Sequence, residues 1–335
     1  MTAVTTVTTA TDPVPALPEP FGPDVVAEYG TELQTTRVLR APDGGFLWWQ
    51  GPGAQVRGPL LARAAHLVPL LPDDTGAALL TVPERAGAGL LHRVGGSASA
   101  AAWLRDFRPQ ARALVAHSLV SAARALRALH AVPAPPPGEL RLGAPPGLGR
   151  LRDWARGSSE LRERTLSCWG AERLERLLGW ADDLAPDPAA EPIPDPVPDP
   201  AAGAAPAGRS LVHGWASLGA LVPPLSRGRV ALLTGEDLAV GRPELDLGWL
   251  LGELVELAWT TPHQKPADLQ RLLLDAYGPG PDPVLVGRSA VLRVVTHMQD
   301  FATYRGWDDE LLGYIAFTAE LIDEEGRRAV PQGVS

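Results

Sequence analysis

A change of hydrophobic period near residue 97 constrains the fold of this chain more than any other feature. Upstream, apolar residues come in short runs broken by Gly and Pro. Over residues 97–132 they recur at helical spacing, as Trp103, Leu104, Phe107, Ala111, Leu114, Val115, Leu119, Ala122, Leu126 and Leu129. Short runs between turn residues build strands, and a 3.6-residue period builds helices. A chain of 335 residues, 45% hydrophobic, has enough apolar surface for two unequal cores. The expectation is an α+β protein: a small β-rich lobe over 23–96 and a larger, mostly helical lobe over 97–330.

In the first lobe, TELQTTRVLRAP and FLWWQ flank Asp43-Gly44-Gly45, the pattern of a hairpin. Residues 58–71 read as a helix that Pro69 ends or kinks. GAALLTVP, 76–83, is a compact run suited to a buried strand. The Thr/Pro-rich residues 1–22 are expected to be disordered. In the second lobe, PAPPPG at 133–138 stops the first helical segment, and 148–185 gives two amphipathic helices. The Pro-rich acidic segment 186–208 cannot sustain a helix or a ladder and should run extended over the surface. The short extended runs SLVHG and RVALLTG follow, then an apolar helix over 247–259. The rest, 266–326, is helical, with breaks at 278–283 and near Gly306.

The net charge of −9 argues against nucleic acid as a partner, since backbone binding needs clustered cations. No window reaches the roughly 18 uncharged apolar residues that span a bilayer, and the N-terminus has no basic or apolar leader pattern, so a cytoplasmic protein without a membrane partner is expected. Cys168 is the only cysteine, which excludes an internal disulfide or a multi-cysteine zinc site. With no His-containing motif beside it, it is expected to be a small buried residue. His117 and His130 fall on faces of the 97–132 segment that read as buried, as core histidines. Lys265 is the only lysine in the chain.

Three stretches carry a resemblance: ALRALHAVPA at 125–134, LVHGWASLGA at 211–220 and LLTGEDLAVGRPELDLGWLL at 232–251. In their order and spacing they resemble the aminoglycoside phosphotransferase and choline-kinase-like branch of the protein-kinase-like fold. In that family the second stretch reads His-Gly-Asp, three residues, Gly-Asn. The third reads Ile-Asp-Trp-Glu and, further on, Gly-x-Pro-x-x-Asp-Leu. Here His213, Gly214, Gly219, Glu236, Gly241, Pro243, Asp246 and Leu247 match. The catalytic Asp position is Trp215, the metal-ligand Asn position is Ala220, and the second metal-ligand Asp position is Thr234.

The resemblance therefore implies a degenerate member, a pseudokinase. An indole offers no acceptor for a substrate proton, and losing a positioned base costs about 10²–10⁴ in rate. Ala220 and Thr234 remove the amide and the carboxylate that would hold a magnesium ion, which wants oxygen ligands. The strand that would carry a phosphate-gripping lysine ends in Trp48, Trp49 and Gln50, and Ala62, Arg63 and Ala64 stand where its glutamate partner is expected. Magnesium-ATP binding is expected to be weak or absent, with no cofactor.

His213 reads as a structural loop residue, Trp215 as a filler of the lost site or a stacking surface, and Asp246 as a helix cap that also pins the loop. Glu236 and Asp237 keep open a relocated metal. Trp48 and Trp49 point to opposite faces of one strand, so one of them should face the cleft or solvent as a contact surface. These positions are the candidate cleft residues of a binding protein whose partner is a protein or peptide, by analogy in a ribosomal-peptide biosynthetic pathway. The rivals are a phosphotransferase with displaced acids and a cleft repurposed for other chemistry.

Overall fold

The computed structural model describes residues 24–54, 56, 58–60, 78–132, 144–185, 209–226, 228–261 and 266–331. The tail 1–22, the helix expected from residue 61 onward with Ala62, Arg63 and Ala64, and the Pro-rich segment 186–208 lie outside them. Within the described residues the chain has a β-rich N-terminal region and a mostly helical C-terminal region, a two-lobed kinase-like fold.

Strands β1 (Val25–Gly30), β2 (Gln34–Arg40) and β3 (Phe46–Pro52) form an antiparallel meander. The turn between β2 and β3 is closed by the Asp43 side chain, which accepts from the Gly45 amide at 3.0 Å. After β4 (Ala78–Thr81), strands β5 (Glu84–Ala86) and β6 (Gly89–Val94) complete a five-stranded sheet in the order β1-β2-β3-β6-β5. Strand β4 does not join it. It pairs in parallel with β9 (Val230–Leu233), next to β8 (Leu221–Val222), in a three-stranded sheet of the C-terminal region.

The alternation along β3 separates the two tryptophans as expected: Trp48 faces the space between the lobes and Trp49 the other side of the sheet. Trp48 is 1% exposed and Trp49 8%. The Trp49 indole N–H donates to Ala86 O at 3.0 Å, and the Arg37 guanidinium covers the ring at 5.5 Å. A cation over an indole and two facing glycines, Gly51 and Gly89, seal this side of the sheet.

The helices are α1 (Ala100–Leu104), α2 (Pro109–His130), α3 (Pro146–Arg156), α4 (Glu160–Leu184), α5 (Glu244–Thr260), α6 (Ala267–Tyr277), α7 (Pro283–Arg305) and α8 (Glu310–Asp323). A two-stranded pair, β7 (Ser210–Val212) with β10 (Ala239–Gly241), lies before α5. Helix α2 buries Ala111, Val115, Leu119, Ala122, Leu126 and Leu129 and is the central helix of the core. Helices α5 and α7 pack closely because Gly248 and Gly252 lie one turn apart on the contact face. A Cβ at Gly248 would collide with Ser289, and one at Gly252 with the Arg293 stem.

Three expectations are corrected. Phe107 is 77% exposed in the link between α1 and α2, where no helix face is left to bury it. His117 is exposed because it shares a wet stripe of α2 with Ala113 and Arg124. Cys168 is exposed as well: α4 buries Leu161, Thr165 and Trp169, one residue per turn, and Cys168 sits about 100° off that narrow stripe. Among the described residues no helix is long and apolar enough to cross a membrane.

Candidate functional site

The loop after β7 is held from behind by one carboxylate. Asp246 is completely buried in the first turn of α5, and it accepts from the His213 amide at 2.6 Å and the Gly214 amide at 2.8 Å. His130, at the end of α2, lies 2.9 Å from the same carboxylate through Nε2, while its Nδ1 meets the Tyr277 hydroxyl at 2.9 Å. Burial pushes the Asp246 carboxyl up, but the hydrogen bond and charge of His130, with the histidine and amide at 213, outweigh this and hold it below the usual carboxylate range. The expected pinning of the loop is present. The expected capping is not, because the carboxylate serves the loop amides rather than the start of its own helix.

His213 is buried, and burial lowers its pKa against the opposing pull of Asp246. The neutral ring bridges the loop to β9: Nε2 lies 2.8 Å from Leu233 O, and Nδ1 lies 3.4 Å from the Trp215 amide, which donates to it. This is the structural role read from the sequence. Gly214 has φ of +79°, and a Cβ there would strike the Asp237 carbonyl, so no other residue fits without moving the loop. A second pin escapes a motif search: Glu253 accepts from the Leu218 amide at 2.6 Å. Its signal lies in the spacing, since Glu253 is seven residues after Asp246 and shares its helix face.

Trp215, at the position of the catalytic acid, is half-buried between three groups. Its ring lies 5.5 Å from that of Trp249 at 57°, the Arg150 guanidinium sits 5.2 Å over it, and Gly147 of α3 leaves room for its edge. Arg150 is itself fixed by two 3.1 Å hydrogen bonds to Asp300. Ala220 presents a methyl group, its amide taken by Ser217. Thr234 is 1% exposed, and its neutral hydroxyl donates to the Thr81 carbonyl of β4.

These positions surround an interlobe cleft of about 740 Å³, which His213, Trp215, Ala220, Thr234, Glu236, Asp237, Trp48 and Gln50 help to line. Trp49 is on the far face of the sheet, and Asp246 is behind the loop. The Trp48 indole N–H donates to Gly96 O at 2.9 Å, on the linker between the lobes. The Trp48 side chain thereby lines the cleft and takes one backbone acceptor of the linker. Among the described residues lining the cleft, Arg105 is the only arginine and there is no lysine. No group of three His, Cys, Asp or Glu side chains among the described residues could hold a metal. The described lining thus offers the phosphates of a nucleotide one cationic side chain, Arg105.

Behind the cleft, His92 of β6 is completely buried, with Nδ1 2.9 Å from the Thr81 hydroxyl and no partner at Nε2 among the described residues. Burial, helped by the nearby His213, lowers its pKa from 6.5 to about 4. The unfolded chain therefore binds this proton over a window where the folded protein does not. Stability should fall by about 3 kcal/mol as pH drops from 6.5 towards 4. Urea midpoints across that range, compared with His92→Gln, check the expectation: the variant should lose much of the slope.

No protein-family model matches the sequence, and no curated protein sequence matches it significantly. The fold does have close counterparts among solved structures. Amicoumacin kinase hAmiN, in complex with AMP-PNP and Ca2+, superposes with a TM-score of 0.57 at 11% identity, covering 91% of this chain and 89% of that one. Aminoglycoside phosphotransferase APH(2'')-Ib, with ADP bound, gives 0.50 at 12% identity over 90% and 93%. Choline kinase LicA from Streptococcus pneumoniae gives 0.50 at 12% identity over 90% and 94%. The chain has the fold of aminoglycoside phosphotransferases and choline kinases.

Proposed function

We propose that this protein is a pseudokinase, a binding subunit whose cleft no longer transfers phosphate and whose partner is a protein or peptide. The observation that carries the reading is Thr234. The position that would present a metal-binding carboxylate holds a buried neutral hydroxyl, which brings no negative charge and one oxygen in place of two. Phosphoryl transfer depends on positioning and on neutralising phosphate charge with metal ions and a cation. Trp215 removes the base, Ala220 removes the metal-binding amide, and Trp48 lines the cleft where a lysine strand is expected. These losses act on one reaction and are not additive.

What persists is the scaffold of the loop. Asp246, Glu253, His130 and His213 still fix its backbone by hydrogen bonds. A rigid, largely apolar cleft with acids at Glu236 and Asp237 suits recognition without turnover.

A thermal-shift titration with magnesium-ATP and magnesium-GTP, each with a metal-free control, tests this. A ligand that binds only the folded state must raise Tm. The expected result is no saturable shift at millimolar nucleotide. A saturable, metal-dependent rise of several degrees would mean that Glu236 and Asp237 hold a relocated ion, and the protein would be read as an enzyme.

A further inference from the structure

A second cavity, of about 510 Å³, opens on the C-terminal region between the α3–α4 turn and the end of α7. Its size is that of a small-ligand site. Trp154 and Trp307 form apolar walls, and the turn glycines Gly157 and Gly306 leave parts of the lining free of side chains. Trp307 is held from outside by the Arg164 guanidinium, 4.0 Å from its ring centre.

Two atoms distinguish this cavity. The indole Nε1 of Trp154 and the Oε1 of Gln299 are both out of solvent contact and without a hydrogen-bond partner, and both residues line the cavity. No other unpaired buried side-chain atom among the described residues belongs to a residue lining this cavity or the interlobe cleft. Buried polar groups are rarely left unpaired, because their desolvation goes uncompensated. One of the two is a donor and the other an acceptor, and an amide group supplies the complement of both.

We infer that this cavity binds a carboxamide: the ligand's carbonyl accepts from the Trp154 indole and its N–H donates to Gln299, with flanking apolar groups against Trp154 and Trp307. Both atoms are covered in the empty cavity, so binding includes a turn of Gln299, which is partly exposed with a soft terminal torsion, and a shift of the Trp154 ring that uncovers its N–H. The peptide main chain and a small primary amide share this chemistry. The site is separate from the interlobe cleft, since neither Trp154 nor Gln299 lines it, although Arg150 of its lining also covers Trp215 of the cleft. Nucleotide binding in the cleft would therefore sink the pseudokinase reading and leave this one intact.

The test follows the indole N–H resonances of the ten tryptophans in nitrogen-labelled protein, with that of Trp154 assigned through Trp154→Phe. The probes are the capped tripeptide acetyl-Ala-Leu-Ala-methylamide, its analogue with esters in place of the amides, and propionamide. The expected result is a saturable downfield shift of the Trp154 resonance with the tripeptide. Binding should be about tenfold weaker for the ester analogue, and about tenfold weaker in Gln299→Leu, a variant at a partly exposed position that keeps the fold. A response to propionamide without one to the tripeptide would keep the amide site and assign it to small amides. An unmoved Trp154 resonance with every probe, or equal binding of ester and amide, would overturn the inference.

Discussion

Replacing Asp246 with alanine is expected to lower stability by about 3–5 kcal/mol, a drop on the order of 10 °C in Tm. The cost comes less from the lost carboxylate than from what it leaves behind: the amides of His213 and Gly214 and the ring of His130, all in a dry interior. Asp246→Asn should fall between wild type and alanine, because one carboxamide oxygen still accepts while its NH2 group faces donors. The sign of the pH dependence follows from the depressed pKa. The contribution is complete above the unfolded value of about 4 and is lost as pH falls through the lower folded value. The gap between wild type and Asp246→Ala, measured by urea unfolding, should therefore narrow in strong acid. A gap below about 1 kcal/mol at neutral pH would mean that the loop is held by other contacts.

Trp48→Ala is the second large effect. Removing a fully buried indole costs about 3–5 kcal/mol through lost burial and the cavity left behind. Here it also frees the Gly96 carbonyl of the linker. Free indole should restore part of the lost Tm, by refilling the space and donating again to Gly96. The carbon analogue indene should restore less, because it brings no N–H. Equal rescue by both would show that the hydrogen bond adds nothing to packing. No rescue by either would show that the cleft collapses when the side chain is removed.

Much of this architecture can be read along the chain, because local patterns decide it. The hairpin around Asp43-Gly44-Gly45, the helical period through α2, and the spacing of His213 and Asp246 are short-range signals that the fold keeps. Contacts between distant residues are what the chain order hides. Nothing near Trp48 announces a partner 48 residues away at Gly96. Nothing near Thr234 points to Thr81, 153 residues earlier. Cys168 and His117 are hard to place from sequence for a different reason: each helical residue turns about 100° from the one before, so a neighbour in sequence can belong to the opposite face. Helical pattern alone also gave no sign that residues 78–81, apolar and strand-like, would leave the first sheet for the second.

That last placement bears on how the chain acquires its structure during synthesis. Strand β4 finds its parallel partner β9 only after some 150 further residues have been made, as the hydrogen bond between Thr81 and Leu232 records. A contact of such sequence separation is slow to close. Until the ribosome has passed residue 233, β4 has no ladder to enter. A fragment ending at residue 96 would therefore carry an unpaired strand prone to association.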